Sequence, residues 1–262
     1  MSDDALYAPR LGRPATGVIL TGGASGLGRA SAEALAAVGR PVSLWDLDGE
    51  KASAAAKHLA DRYGVVAQGL AVDVRDPAAL DSAVDDARSA LPSIGGLVHA
   101  AGVVDTASLD GLTPESFDDG IHIHLRPLAL LAQSLLPDLA ASPGAAIVTF
   151  ASINASLGNA ANPIYSAGKG GALSMMRSLA DRLATEGIRI NAISPGQIRT
   201  PMMQPSLDAL GDERFTARIL LERVGEPEEI GRVVRFLLSE EASYVTASEF
   251  IVDGGNVSSQ RT

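Results

Sequence analysis

The chain alternates short, mostly apolar runs with longer stretches in which apolar residues recur every three or four positions. The runs fall at 17–21, 41–45, 65–71, 95–100, 144–151, 188–193 and 249–252. Each is too short for a helix and carries too little polar alternation for a strand with one wet face, so the pattern predicts strands buried on both sides. The intervals predict helices. Arg29 to Val38 sets Leu35 and Val38 on one face and meets Gly39 where a C-terminal glycine cap belongs. Glu50 to Arg62 is Ala-rich, with Asp48 as its capping candidate. Further helices are predicted at 113–141, 162–187 and from near Pro227. Strand and helix alternating along the whole chain predict an α/β fold, a doubly wound parallel sheet of about seven strands with helices on both faces. No linker divides it, so 14–262 reads as a single domain preceded by a partly ordered polar tail, Met1 to Arg13. The longest departure from the alternation is 197–224, with Pro201, Met203, Pro205 and an amphipathic piece from Ser206 to Leu221. A segment of that length between strand and helix reads as a mobile lid.

Composition narrows the classes. Of 262 residues, 46% are hydrophobic but only 4% aromatic, so the core must be aliphatic. A net charge of −10 argues against nucleic acid or an anionic membrane as partner. The absence of cysteine excludes disulfides and thiolate metal sites. No basic segment leads into an apolar one at the start, and no run reaches membrane-spanning length, so a cytoplasmic location is expected.

Four features carry chemistry. The first strand runs into Thr21-Gly22-Gly23-Ala24-Ser25-Gly26-Leu27-Gly28 and then a helix. Strand, glycine turn and helix N-terminus together let backbone N–H groups approach a pyrophosphate. The second strand ends at Asp46, 18 residues after Gly28, where a carboxylate accepts from ribose hydroxyls and repels a 2′-phosphate. That expectation favours NAD over NADP. Ser152 follows the apolar run ending at Phe150, at the strand end where open parallel sheets bind ligands. Tyr165 and Lys169, four apart on a helix, share a face. A neighbouring ammonium is expected to pull the phenol below its ordinary value near ~10, toward the range of a working acid–base group.

These residues, with Asp73-Val74, Ala101-Gly102, Asn191, Pro195-Gly196 and Asp253-Gly254-Gly255 in the same order, resemble the short-chain dehydrogenase/reductase family over roughly residues 14 to 256. The resemblance implies a Rossmann-like domain, a bound nicotinamide dinucleotide, and hydride transfer between a small secondary alcohol and its ketone. It makes Tyr165 the proton donor or acceptor and Ser152 the holder of the reacting oxygen, while Lys169 also meets the nicotinamide ribose. Gly22, Ser25, Gly26, Leu27, Gly28, Asp46, Asp73, Val74, Ala101, Gly102, Pro195 and Gly196 would line the dinucleotide, with Ile198 and Thr200 fixing the carboxamide. Asn191 is expected to brace the backbone of the site. By resemblance, and from the apolar faces of 113–141 and 162–187, a homotetramer is expected. Asn154, Gln197 and Met202 are the substrate-side candidates, with Asn159 and Met203 beside them. Arg199 is the single cation placed to clamp a carboxylate, although a solvated lid charge explains it as well.

Two departures stand out. Where the family usually has Asn-Asn-Ala-Gly, this chain has His99-Ala100-Ala101-Gly102, so His99 is expected to take over bracing hydrogen bonds. Where the family usually has Val-Asn-Leu, it has Ile123-His124-Leu125, which makes His124 the fourth catalytic candidate. In that family a local helix distortion frees the backbone carbonyl here to hold a water joining the lysine to solvent. A carbonyl survives any substitution, and this backbone reading is preferred over proton relay by the imidazole. A metal at His122 and His124 is not expected, because residues two apart on a helix face nearly opposite ways. Two rivals stay open: an NADPH-dependent 3-oxoacyl-thioester reductase, against which Asp46 argues, and a non-catalytic dinucleotide-binding sensor, against which Ser152, Tyr165 and Lys169 argue.

Overall fold

The computed structural model describes residues 7–258. Its elements run β1 (Gly17–Thr21), α1 (Gly26–Ala36), β2 (Val42–Asp46), α2 (Gly49–Tyr63), β3 (Ala67–Ala71), α3 (Pro77–Ala90), β4 (Ile94–His99), α4 (Pro114–His124), α5 (Arg126–Ser134), α6 (Leu136–Ala140), β5 (Ala146–Phe150), α7 (Asn154–Leu157), α8 (Pro163–Ala184), β6 (Arg189–Pro195), α9 (Gln204–Leu210), α10 (Asp212–Thr216), α11 (Pro227–Leu237) and β7 (Glu249–Val252). The strands form one parallel sheet in the order β3-β2-β1-β4-β5-β6-β7. The order reverses between β1 and β4, and the carboxyl ends of these strands are where such a sheet opens a crevice for ligands.

Strand alternation sorts the core into two layers. Ile19, Leu97, Ile147 and Ile190 face α3, α4, α5 and α8, whereas Val18, Leu20, Val98 and Val148 face α1, α2 and α11. The central strands are buried along their length, as their apolar runs predict. Asp48 caps α2, accepting from the Lys51 amide at 3.0 Å.

Two sequence expectations are revised. The predicted helix 113–141 is three helices, because Pro127 and Pro137 cannot donate to the preceding turn and each stands near the start of a new helix. The piece from Ser206 to Leu221 is split at Gly211, whose φ is 74°. Part of the polar tail, of which residues 1–6 lie outside the described range, is fastened. The Arg10 amide donates to Glu241, its guanidinium pairs with Glu240, and the Arg13 carbonyl accepts from the Glu240 amide.

Candidate active site

Five segments meet above the carboxyl ends of β1, β4, β5 and β6. The first is the turn from β1 into α1. Gly26 adopts φ 51°, and a side chain on Gly28 would run into the Gly22 carbonyl at 2.1 Å, so the tight turn requires both glycines. Ser25 stands at the N-cap of α1 with no side-chain cap, and no acidic residue lies in the first turn. That helix terminus can therefore hold an anionic group. Asp46, at the end of β2, anchors the turn: its carboxylate accepts from the Ala24 amide at 3.1 Å and the Asp48 amide at 3.2 Å. These residues fit a dinucleotide.

The Asp73 carboxylate, expected beside the dinucleotide, grips Arg75 through the guanidinium at 2.8 Å and the amide at 2.9 Å. Val74 is buried behind it. Ala101 donates its amide to the Thr21 hydroxyl at 3.1 Å, which ties the turn after β4 to β1 and brings Gly102 to the crevice. Past β6, Pro195 and Gly196 lead to Ile198, whose neighbours bond to Gly225: the Gln197 carbonyl accepts from it and the Arg199 amide donates to it. The Ile198 N–H and C=O consequently point the opposite way, although its side chain is core. Thr200 lies against Gly26, 3.7 Å from where a Cβ would stand. Among the substrate-side candidates, Asn154 donates its amide to Ser152 Oγ at 3.1 Å, Gln197 is half-buried and Met202 is exposed. Arg199 is ion-paired, with Asp212 at 2.5 Å and Glu226 at 3.5 Å.

Ser152, Tyr165 and Lys169 converge. Ser152 Oγ accepts from the Asn154 amide and neighbours the Tyr165 side chain, whose ionisation it eases. The Lys169 ammonium lies 5.6 Å from the centroid of the Tyr165 ring and donates to the Phe150 carbonyl at 2.9 Å. Tyr165 sits in the first turn of α8, and because Asn162 does not cap that helix, the Asp105 carboxylate accepts the Tyr165 amide at 2.8 Å.

The ionisation differs from the expectation. Burial pushes the Tyr165 phenol up, the Ser152 hydroxyl pulling the other way. Burial brings Lys169 down to about 8. The ammonium stands off the ring and spends a proton on a carbonyl, so burial outweighs it at the phenol.

His99 braces, as expected. Its Nδ1 is 2.9 Å from the Thr21 hydroxyl and its Nε2 3.2 Å from the Ile123 carbonyl. That carbonyl is available because Pro127, four residues on, has no N–H to give it. Burial first, and then the Lys169 charge, lower His99 to about 4. Asn191 differs: it braces the segment before β7, on the Val245 carbonyl at 2.9 Å and the Ser248 amide at 3.1 Å, and its side chain makes no hydrogen bond to Ser152, Tyr165 or Lys169. Asp253 accepts the amides of Gly255 and Val257, each at 2.8 Å. The sequence reading missed Asp105, whose contact with Tyr165 spans 60 residues and leaves no local signal.

The family model described as enoyl-(acyl carrier protein) reductase matches residues 22–256. The chain is a short-chain dehydrogenase/reductase. It is 33% identical over 240 residues to a probable galactose dehydrogenase of Rhizobium meliloti, covering 91% of this chain and 94% of that one. It is 31% identical over 237 residues to a 3-oxoacyl-[acyl-carrier-protein] reductase of Aquifex aeolicus, covering 90% and 95%. Among solved structures, the L-sorbose reductase of Gluconobacter frateurii, complexed with NADPH and L-sorbose, superposes with a TM-score of 0.89 at 30% identity, covering 95% of this chain and 99% of that one. As a member of this family the protein is an oxidoreductase that interconverts alcohols and ketones with a nicotinamide dinucleotide.

Proposed function

We propose that the protein is an NAD-preferring dehydrogenase/reductase of a small, polar secondary alcohol of the sugar or polyol class, with Tyr165 as general acid/base. The observation that carries the reading is the gathering of the Ser152 hydroxyl and the Lys169 ammonium round the Tyr165 side chain. Ser152 holds the reacting oxygen, and Tyr165 gives that oxygen a proton in reduction or takes one in oxidation. Lys169 supplies positive charge that favours the phenolate as the proton leaves. The dinucleotide's part, when bound, is to exchange hydride with the carbinol carbon. Gly22, Ser25, Gly26, Leu27 and Gly28 cradle its phosphates, Asp46 takes the adenosine ribose, and Ile198 and Thr200 take the carboxamide.

Two relatives named for sugars support the substrate class. Asp46 supports NAD, since it would oppose a 2′-phosphate. The NADPH-dependent thioester-reductase reading has its own support, because relatives include acyl-carrier-protein reductases and the sorbose reductase was solved with NADPH. A homotetramer in the cytoplasm belongs to the proposed reading; among the described residues no helix is long and apolar enough to cross a membrane.

Kinetics with both cofactors, on sugar alcohols and on an acyl thioester, separate the two. NAD should be preferred by at least ~10-fold in kcat/KM, about 1.4 kcal/mol, and Asp46→Ala should narrow the gap. Equal efficiency with NAD and NADP contradicts the cofactor assignment, and turnover confined to the thioester contradicts the substrate class.

A further inference from the structure

His124 ends α4, and its ring is only 2% exposed. The ring stands edge-on to Tyr165, with centroids 5.5 Å apart and planes at 84°. Two missing side chains make room for it. A Cβ on Gly168 of α8 would stand 3.1 Å from His124 Cβ and Cδ2, and one on Gly102 would stand 2.9 Å from Cε1.

The two ring nitrogens differ. Nε2 lies 3.0 Å from the Val103 carbonyl, an acceptor only, so Nε2 carries the hydrogen. Nδ1 is therefore a bare lone pair, and it is buried without a partner among the described residues. An unsatisfied buried acceptor is costly, so it calls for a donor. Lys169 offers a donor beside it. Its ammonium, 6% exposed, gives one proton to Phe150 and has two left. Both groups flank Gly102, on which a Cβ would stand 3.3 Å from Nδ1 and 3.6 Å from Nζ. Nδ1 and Nζ are not in direct hydrogen-bond contact, and an acceptor and a charged donor on either side of one glycine can be joined by a single water.

At the helix break the backbone is engaged one residue earlier, where the His99 ring donates to the Ile123 carbonyl at 3.2 Å. The ionisable groups packed round the His124 ring are Tyr165 and Lys169 on α8 and His99 on β4; Asp105 is bound to the Tyr165 amide.

We propose that Nδ1 of His124 accepts a hydrogen bond from a water that bridges it to the Lys169 ammonium, which makes His124 a positioning residue for Lys169. The imidazole does not carry the proton itself, because burial, then the charges of Lys169 and His99, hold it down to about 3. It fixes the water and favours the ammonium over the free amine.

The test is the pH dependence of kcat/KM for the parent and for His124→Asn, His124→Gln and His124→Phe, with whichever alcohol and cofactor the parent turns over. An Asn oxygen can occupy the place of Nδ1, a Gln amide reaches the place of Nε2, and Phe keeps the packing without either nitrogen. With its acceptor lost, the ammonium gives up its proton at lower pH. The alkaline limb should fall by about half to one pH unit in the Gln and Phe variants and stay in the Asn variant, and a high-resolution crystal structure of the parent should contain the water. A Gln variant with the parent's limb overturns the proposal. So does an equal shift in every variant, which would mean packing alone, or a crystal structure without the water. If the Phe variant fails to fold, the Gln variant decides. Absence of turnover by the parent would count against the proposed function, while the crystal structure still decides the water.

Discussion

Buried cations occur at both ends of this sheet, and they are treated in opposite ways. At the amino ends of the strands, Arg40 donates to the Thr16 carbonyl at 2.9 Å, the Thr16 hydroxyl at 3.0 Å and the Leu238 carbonyl at 2.8 Å. Arg189 donates to the carbonyls of Leu237, Ser239 and Val245. Several of these acceptors close α11, where the partial negative charge of the helix dipole adds to the hydrogen bonds. Burial, then the neighbouring Arg189, lowers Arg40 only to about 10, so it stays charged at neutral pH. At the carboxyl ends, Lys169 has a single carbonyl, falls to about 8, and sits beside a histidine with a bare nitrogen. A cation that only holds structure has its donors satisfied; one that works keeps donors free.

The contrast breaks most easily at Arg40. Arg40→Met leaves the carbonyls of Thr16 and Leu238 and the Thr16 hydroxyl without this donor and should cost on the order of 3 kcal/mol in urea unfolding, with kcat unchanged in the folded fraction. Unchanged stability would mean that the carbonyls find other partners and that the arginine is dispensable. Lys169→Met should do the reverse. Removing an underpaired buried ammonium should leave the unfolding free energy within about 1 kcal/mol of the parent while turnover falls at least ~100-fold, as expected where stability and activity trade off. Strong destabilisation by Lys169→Met would erase the distinction between the two ends.

A smaller effect concerns acid. His99 and His124 titrate at about 4 and about 3 in the native protein, against an ordinary value near 6.5. As pH falls below about 6.5 the unfolded chain takes up protons that the native state refuses, so stability is intact above that value and is lost progressively down to about pH 3. Lys169 works in the same sense at higher pH, its penalty fading from about 8 upward. Urea midpoints should decline from neutral pH toward pH ~4, and less steeply in His99→Asn. An identical slope in that variant would show that the carboxylates govern acid unfolding.

How much of this was legible depended on range along the chain. Strand positions follow from apolar runs, and five of the seven begin within one residue of the expected place. β3 begins two residues late, at Ala67, and β5 two residues late, at Ala146. The break at Leu125 was also legible, since Pro127 cannot complete the preceding turn, but the apolar periodicity across 113–141 outweighed that signal. The Tyr165–Lys169 pairing is local and was read correctly as a shared face; the direction of the phenol's ionisation was not, because burial is a tertiary property. Contacts such as Asp105 to Tyr165 and His124 to Val103 join residues far apart in sequence, and only the fold brings them together.

The central claim is that the proton of the reaction passes through Tyr165. The most direct test is the turnover of Tyr165→Phe at saturating alcohol and dinucleotide, with dinucleotide affinity measured on the same protein. The account predicts that kcat falls at least ~100-fold while dinucleotide Kd stays within about threefold, because only the transferable hydroxyl is removed. A Tyr165→Phe enzyme that turns over like the parent would contradict it.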